Sequence, residues 1–167
     1  HNDARRQRQM CIRDRTTTDN DSAAFTLSTT TATVTEAGGT ATYTVVLGAQ
    51  PDSDVVITVV SADTGEATVS PASLTFTNGN WNTAQTVTVT GVDDNLVDGS
   101  VNTTITMSVD DANSDNNFDA VADQTVTATT TDNDTAAFTL STTTATVTEA
   151  GGTCLLYTSP SPRDHQP

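Results

Sequence analysis

Carboxylates are the main side chains with acid, base or metal-binding chemistry in the middle of this 167-residue sequence, because Thr16 to Thr153 contains no Lys, Arg, His or Cys. That inventory excludes a Ser-His or Cys-His nucleophile, an imidazole or thiolate metal site and a disulfide there. It also excludes a Lys-Asn isopeptide bond, and no Ser-led G-x-S-x-G turn occurs. The expectation is a protein without enzymatic activity. The acids gather in groups: Glu36, then Asp93, Asp94 and Asp98, then Asp110, Asp111, Asp115 and Asp119, then Asp132 and Asp134. Hard oxygens in this number suit calcium, which takes six to eight of them at about 2.3–2.6 Å.

Between Ser22 and Asp134 stand 15 acidic residues and no cation, so no salt bridge can form within that stretch. The self-repulsion must be met by solvent or by bound cations. The whole chain carries 21 Asp+Glu against 6 Lys+Arg, a net charge of -15, which argues against nucleic acid or an anionic lipid surface as partner. Its longest apolar run, Val55 to Val60, is interrupted by Thr58 and is far short of the ~20 residues of a membrane span.

All six cations are Arg5, Arg6, Arg8, Arg13, Arg15 and Arg163, and Cys11, Cys154, His1 and His165 share the same two end segments. Met10-Cys11-Ile12-Arg13-Asp14 can be encoded by ATG TGT ATA AGA GAC. With a following A, the reverse complement, TGTCTCTTATACACAT, reads Cys154-Leu155-Leu156-Tyr157-Thr158 and the first base of Ser159. One DNA element in opposite orientations resembles the transposase adapters of sequencing libraries. Residues 1–15 and 154–167 are accordingly taken as non-native adapter-like segments and enter no functional reasoning.

Within the remainder, Thr16 to Thr40 recurs at Thr129 to Thr153, an offset of 113 residues, with only Ser22 against Thr135 differing over 25 positions. The expected layout is the tail of a preceding repeat at 16–21, one complete domain at 22–134, and the start of the next repeat at 135–153. A period of this length suits a whole domain in a tandem array rather than a solenoid turn.

The elements that must position the acids are strands. The unit shows period-two alternation of Val and Thr, with Gly38-Gly39, Pro51-Asp52, Asn78-Gly79 and Asp98-Gly99 as turns. Seven strands are predicted: Phe25–Thr35, broken near Ser28 to Thr30, then Ala41–Leu47, Val55–Val60, Ala72–Phe76, Thr83–Thr90, Asn102–Val109 and Gln124–Thr130. Val87 and Val89 should face a core, as should Tyr43, Val45 and Leu47, and Ile105, Met107 and Val109. Seven short strands without a helical stripe predict an all-β, immunoglobulin-like Greek-key sandwich, whose acidic loops can meet at one pole.

Thr33-Val34-Thr35-Glu36-Ala37-Gly38-Gly39-Thr40-Ala41-Thr42-Tyr43, then Thr86 to Thr90 leading through Gly91-Val92-Asp93-Asp94 to Asp98-Gly99, then Thr125-Val126-Thr127 running to Asp132-Asn133-Asp134, resemble a Calx-beta domain in motif order. The resemblance spans the whole unit and implies calcium ligands at Glu36, Asp93, Asp94, Asp98, Asp132 and Asp134. Val101 stands where a second turn carboxylate is often found, and Ala67 to Leu74 shows no clear counterpart of the family's Ser-Asp-Tyr ligand segment. Both departures imply fewer ions or weaker binding.

Asp111 to Asp119 has the alternate-oxygen spacing of an EF-hand start, but Asn116 replaces the glycine at its sixth place and Ala122 the glutamate at its twelfth. A solvated acidic loop is the simpler reading. Trp81 between Asn80 and Asn82 could be a sugar platform, although packing on the sandwich edge is preferred. Asn102-Thr103-Thr104 has glycosylation spacing in a chain rich enough in Thr to produce it by chance. The expected function is a calcium-rigidified spacer repeat of a large secreted or cell-surface adhesin, its partners calcium and neighbouring repeats. The alternative is a module that contacts glycan or a surface directly.

Overall fold

A computed structural model describes residues 20–141, 143, 144, 146, 147, 149–151 and 158–160. The adapter-like segment 1–15 and most of 154–167 lie outside the described residues. Nine strands build the sandwich: β1 (Phe25–Leu27), β2 (Thr31–Thr35), β3 (Thr40–Leu47), β4 (Val55–Ser61), β5 (Ala67–Ser70), β6 (Ser73–Phe76), β7 (Gln85–Gly91), β8 (Val101–Val109) and β9 (Gln124–Thr131). One sheet has the order β1-β3-β7-β5 and the other β2-β9-β8-β4-β6. A separate antiparallel pair joins β10 (Phe138–Leu140) to β11 (Thr158–Pro160).

The predicted all-β immunoglobulin-like sandwich is the architecture found, with two more strands than the seven read from sequence. The first predicted strand breaks at Ser28 to Thr30, and its halves join opposite sheets, β1 on β3 and β2 on β9. The second addition is β5, which pairs with β7 from Ala67↔Gly91 to Ser70↔Thr88. Its four residues bury only Ala67, so it carries no alternating apolar signal. Every connection from β1 to β9 except that from β8 to β9 crosses between the sheets, within a Greek-key arrangement.

Alternation places the core. Val87 and Val89 of β7, Tyr43, Val45 and Leu47 of β3, and Ile105 and Met107 of β8 are all buried between the sheets with Phe25, Ile57 and Phe76. Each such apolar side chain contributes roughly 1.5–3 kcal/mol by leaving water. The Tyr43 hydroxyl, pushed up to about 12 by burial, donates to Met107 Sδ at 3.0 Å. Among the described residues, the buried apolar side chains lie between Phe25 and Ala128.

The loop after β8 corrects the EF-hand idea. Asp115 is only 5% exposed and faces the protein, where Oδ2 accepts the backbone N–H groups of Asp52 (2.6 Å) and Ser53 (3.1 Å) and Oδ1 accepts that of Asn117 (2.9 Å). The Asn117 and Ser53 N–H bonds hold its carboxyl below the ordinary range despite burial. Phe118 is buried beside it, while Asp111 and Asp119 stay exposed. The acid is a loop pin, and the expectation of a wholly solvated loop also fails for this residue.

Candidate metal centre

Strand register brings the acids together. Strands β2 and β9 are parallel, with Thr35 facing Thr131, so the residues that follow them, Glu36 and Asp132, leave the sheet side by side at the C-terminal pole. The Glu36 N–H continues the ladder to the Thr131 carbonyl at 3.2 Å. Glu36 is 1% exposed, and its Oε2 accepts the Asn133 N–H at 3.2 Å. Glu36, Asp132 and Asp134 each present a carboxylate oxygen within 4.8 Å of the others.

The second sheet delivers a second group. Ala67 pairs with Gly91, so Glu66 and Val92 are neighbours, and the Val92 N–H donates to the Glu66 carbonyl at 2.9 Å. Glu66, Asp94 and Asp98 form another set of three oxygens within 4.8 Å. Among the described residues these are the two such groups, and both stand at this pole. Gly91 makes the junction possible. A Cβ there would collide with the Thr35 carbonyl oxygen, so only glycine lets β7 end against the last residue of β2.

Each sequence-predicted ligand can now be placed. Glu36, Asp132 and Asp134 converge in one group, and Asp94 and Asp98 in the other. Asp93 belongs to neither; its Oδ1 accepts the Asn133 Nδ2–H at 3.1 Å, and it lines an open cleft of ≈ 590 Å³ with Glu36, Asp94, Asn95, Asn133 and Asp134. Val101 begins β8 and supplies no carboxylate. Glu66 is the residue that sequence reasoning missed, and it stands immediately before the Ala67 to Leu74 stretch in which no ligand segment was found. The available signal was the Asp63-Thr64-Gly65-Glu66 turn, in which the Gly65 N–H donates to Asp63 Oδ1 at 2.9 Å and fixes the start of β5.

The electrostatics are those of a site short of positive charge. Burial pushes the Glu36 carboxyl up, helped by Asp132, Asp94 and Asp98 and opposed by the Asn133 N–H. Burial also raises Glu66, with Asp98, Asp63 and Asp94 adding to it. Asp132 moves the other way because the N–H groups of Asp134 (2.6 Å) and Gly99 (2.9 Å) donate to it.

This two-sheet scaffold has a solved counterpart. The sandwich is similar to the Calx CBD1 domain. That apo-form structure superposes with a TM-score of 0.50 at 15% identity, covering 68% of this chain and 100% of that one. The likeness is one of fold. An MSP-domain-like protein of Caenorhabditis elegans, SSP-19, matches at TM-score 0.45 and 18% identity over 64% of this chain and 98% of that one. Domains 4 and 5 of the S-layer protein SbsC match at TM-score 0.44 and 22% identity over 67% of this chain and 54% of theirs. No protein-family model matches the chain, and no curated protein does.

The donor chemistry is that of a site for a hard cation. All convergent donors are carboxylate oxygens, and two ligands of one ion held at about 2.4 Å can stand no more than about 4.8 Å apart. No Lys or Arg of the unit competes for them. Trp81, by contrast, is half-buried against the core and its carbonyl accepts the Leu47 N–H at 3.1 Å.

Proposed function

We propose that residues 22–134 form a calcium-binding spacer module, one of a tandem series in a large extracellular, adhesin-type protein. The observation that carries this reading is Glu36, an almost fully buried carboxylate beside Asp132 and Asp134 in a unit without a single cation. An isolated buried charge of that kind is costly, and a divalent cation offsets the cost. Glu36, Asp132 and Asp134 would hold one ion; Glu66, Asp94 and Asp98 would hold another, with Asp93 at the margin. Calcium supplies no chemistry here beyond charge and coordination, and no catalytic role is proposed.

The ligands come from the ends of β2, β7 and β9 and from the turn before β5, so one ion would tie the exit of the unit to the end of β2 and the other would tie the end of β7 to the turn before β5. In an array this fixes the angle to the next repeat. Calcium at ~100 times its dissociation constant would add ~2.7 kcal/mol per site, a sizeable share of the stability of a marginal domain. The alternative, direct glycan contact through Trp81, has less support because that ring lies partly against the core.

The experiment is thermal unfolding of residues 16–134 in millimolar calcium and in EDTA. An unchanged midpoint would overturn the proposal. Magnesium at the same concentration should stabilise less, since it demands tighter octahedral geometry.

A further inference from the structure

The repeat places both halves of one joint on a single chain. Asp21 is to the preceding unit what Asp134 is to this one, by the 113-residue offset. Asp21 lines a cleft of ≈ 320 Å³ at the N-terminal pole with Ala23, Ala49, Gln50, Asp52 and Phe118 among its walls. Whatever flanks Asp134 at the C-terminal pole of a preceding unit therefore stands beside this cleft. What flanks it is the 95–99 turn, tied to the chain exit by the Gly99 N–H on Asp132 Oδ2 at 2.9 Å. The tip of that turn carries two adjacent apolar side chains, Leu96 and Val97, 61% and 57% exposed.

The connection limits how far apart the poles can stand. Residues 132–137 alone separate β9 from β10, a span of at most about 20 Å. The slack is smaller still, because the equivalents of Ala136 and Ala137 are engaged: Ala23 packs on the core and the Ala24 carbonyl accepts the Gly48 N–H at 2.8 Å.

We propose that Leu96 and Val97 of each repeat cover the mouth of the N-terminal cleft of the repeat that follows, over Ala23 and Gln50. This rests on the tandem order in the proposed function; calcium governs only how often the joint is closed. Both lips are acidic, with Asp94 and Asp98 on one side and Asp21 and Asp52 on the other, so offsetting their charge favours closure.

The test is a two-repeat chain, residues 16–134 followed by 22–134, which has no native cysteine. Val97→Cys goes in the first repeat and Gln50→Cys in the second. In calcium under mild oxidation, this pair should cross-link about tenfold or more faster than Val60→Cys with Gln50→Cys, or than the same pair with its repeats exchanged. Equal rates for the three pairs would overturn the proposal, as would a product between separate chains that grows with concentration. A fast cross-link that is indifferent to EDTA would uphold the contact and remove the calcium-rigidified part of the proposed function. A cross-link slowed by EDTA would support both.

Discussion

Glu36 and Asn133 lie 97 residues apart in sequence, yet Oε2 of the first accepts the backbone N–H of the second at 3.2 Å. This bond joins the end of the first sheet-forming segment to the chain exit. It leaves the Glu36 carboxylate facing Asp132 and Asp134, where it is penalised by burial and by like charge.

Glu36→Gln should therefore have opposite effects in two buffers. In EDTA the variant loses a buried like-charge interaction and its melting midpoint should rise by roughly 2–5 °C, a change on the order of 0.5–1 kcal/mol. In calcium it loses a ligand, and most of the calcium-induced rise should vanish. Differential scanning calorimetry of both forms in both buffers checks it; a fall in EDTA would contradict it. Glu66→Gln should repeat the pattern for the second group.

Acid should first strengthen and then weaken the calcium-free protein. The Glu36 and Glu66 carboxyls are raised above their ordinary 4.5, so their penalty is present at neutral pH and disappears as pH falls from the raised values to about 4.5. The Asp115 and Asp132 carboxyls are lowered below 3.8, and their stabilisation is lost as pH drops through that lowered range. Urea midpoints in EDTA should peak near pH 4 to 5. A monotonic fall from pH 7 downward would contradict the raised glutamates.

Gly91→Ala should damage stability and ion binding together. The added methyl would meet the Thr35 carbonyl, and separating β7 from β2 to relieve it moves Asp93 and Asp94 away from Glu36. The expected loss is about 1–3 kcal/mol of unfolding free energy. Calcium affinity should weaken in parallel, measured by titration calorimetry. Wild-type affinity in the folded variant would show that the two sheets adjust independently.

Asp115→Ala should lower the midpoint by about 5 °C or more, because three backbone N–H groups lose their acceptor. The calcium increment should be untouched. Asp111→Asn and Asp119→Asn should change neither quantity, as both side chains are exposed. A loss of calcium response in either exposed variant would restore the loop as an ion site.

Ending the protein at Asp134 should shift the midpoint by no more than about 2 °C, within the range of neutral surface changes. The reason is that, among the described residues, the buried apolar side chains fall between Phe25 and Ala128. A larger fall would mean that residues beyond 134 pack on the sandwich.

Period-two alternation made the sandwich legible, since Val87 and Val89, or Ile105 and Met107, are apolar at every second position and point into one core. Gly38-Gly39 and Asp98-Gly99 marked turns correctly, with Gly38 and Gly99 at φ of 80° and 78°. What alternation could not carry was a strand without large side chains, and β5 went unseen for that reason. Glu66 was missed with it, because only the Ala67↔Gly91 pairing brings that carboxylate to Asp94 and Asp98. Asp115 failed differently. An aspartate that caps backbone N–H groups 62 and 63 residues away has the same local sequence as one in water.

The parallel pairing of β2 and β9 has a mechanical meaning. In a tandem chain, tension enters near Ser22 and leaves at Asp134, pulling β2 and β9 in opposite directions along their length. The five residue pairs from Thr31↔Thr127 to Thr35↔Thr131 would be loaded in shear, so their ladder bonds must give way together rather than peel one by one. Ions at Glu36 and Asp132 would stand as a lock at the end of that same ladder.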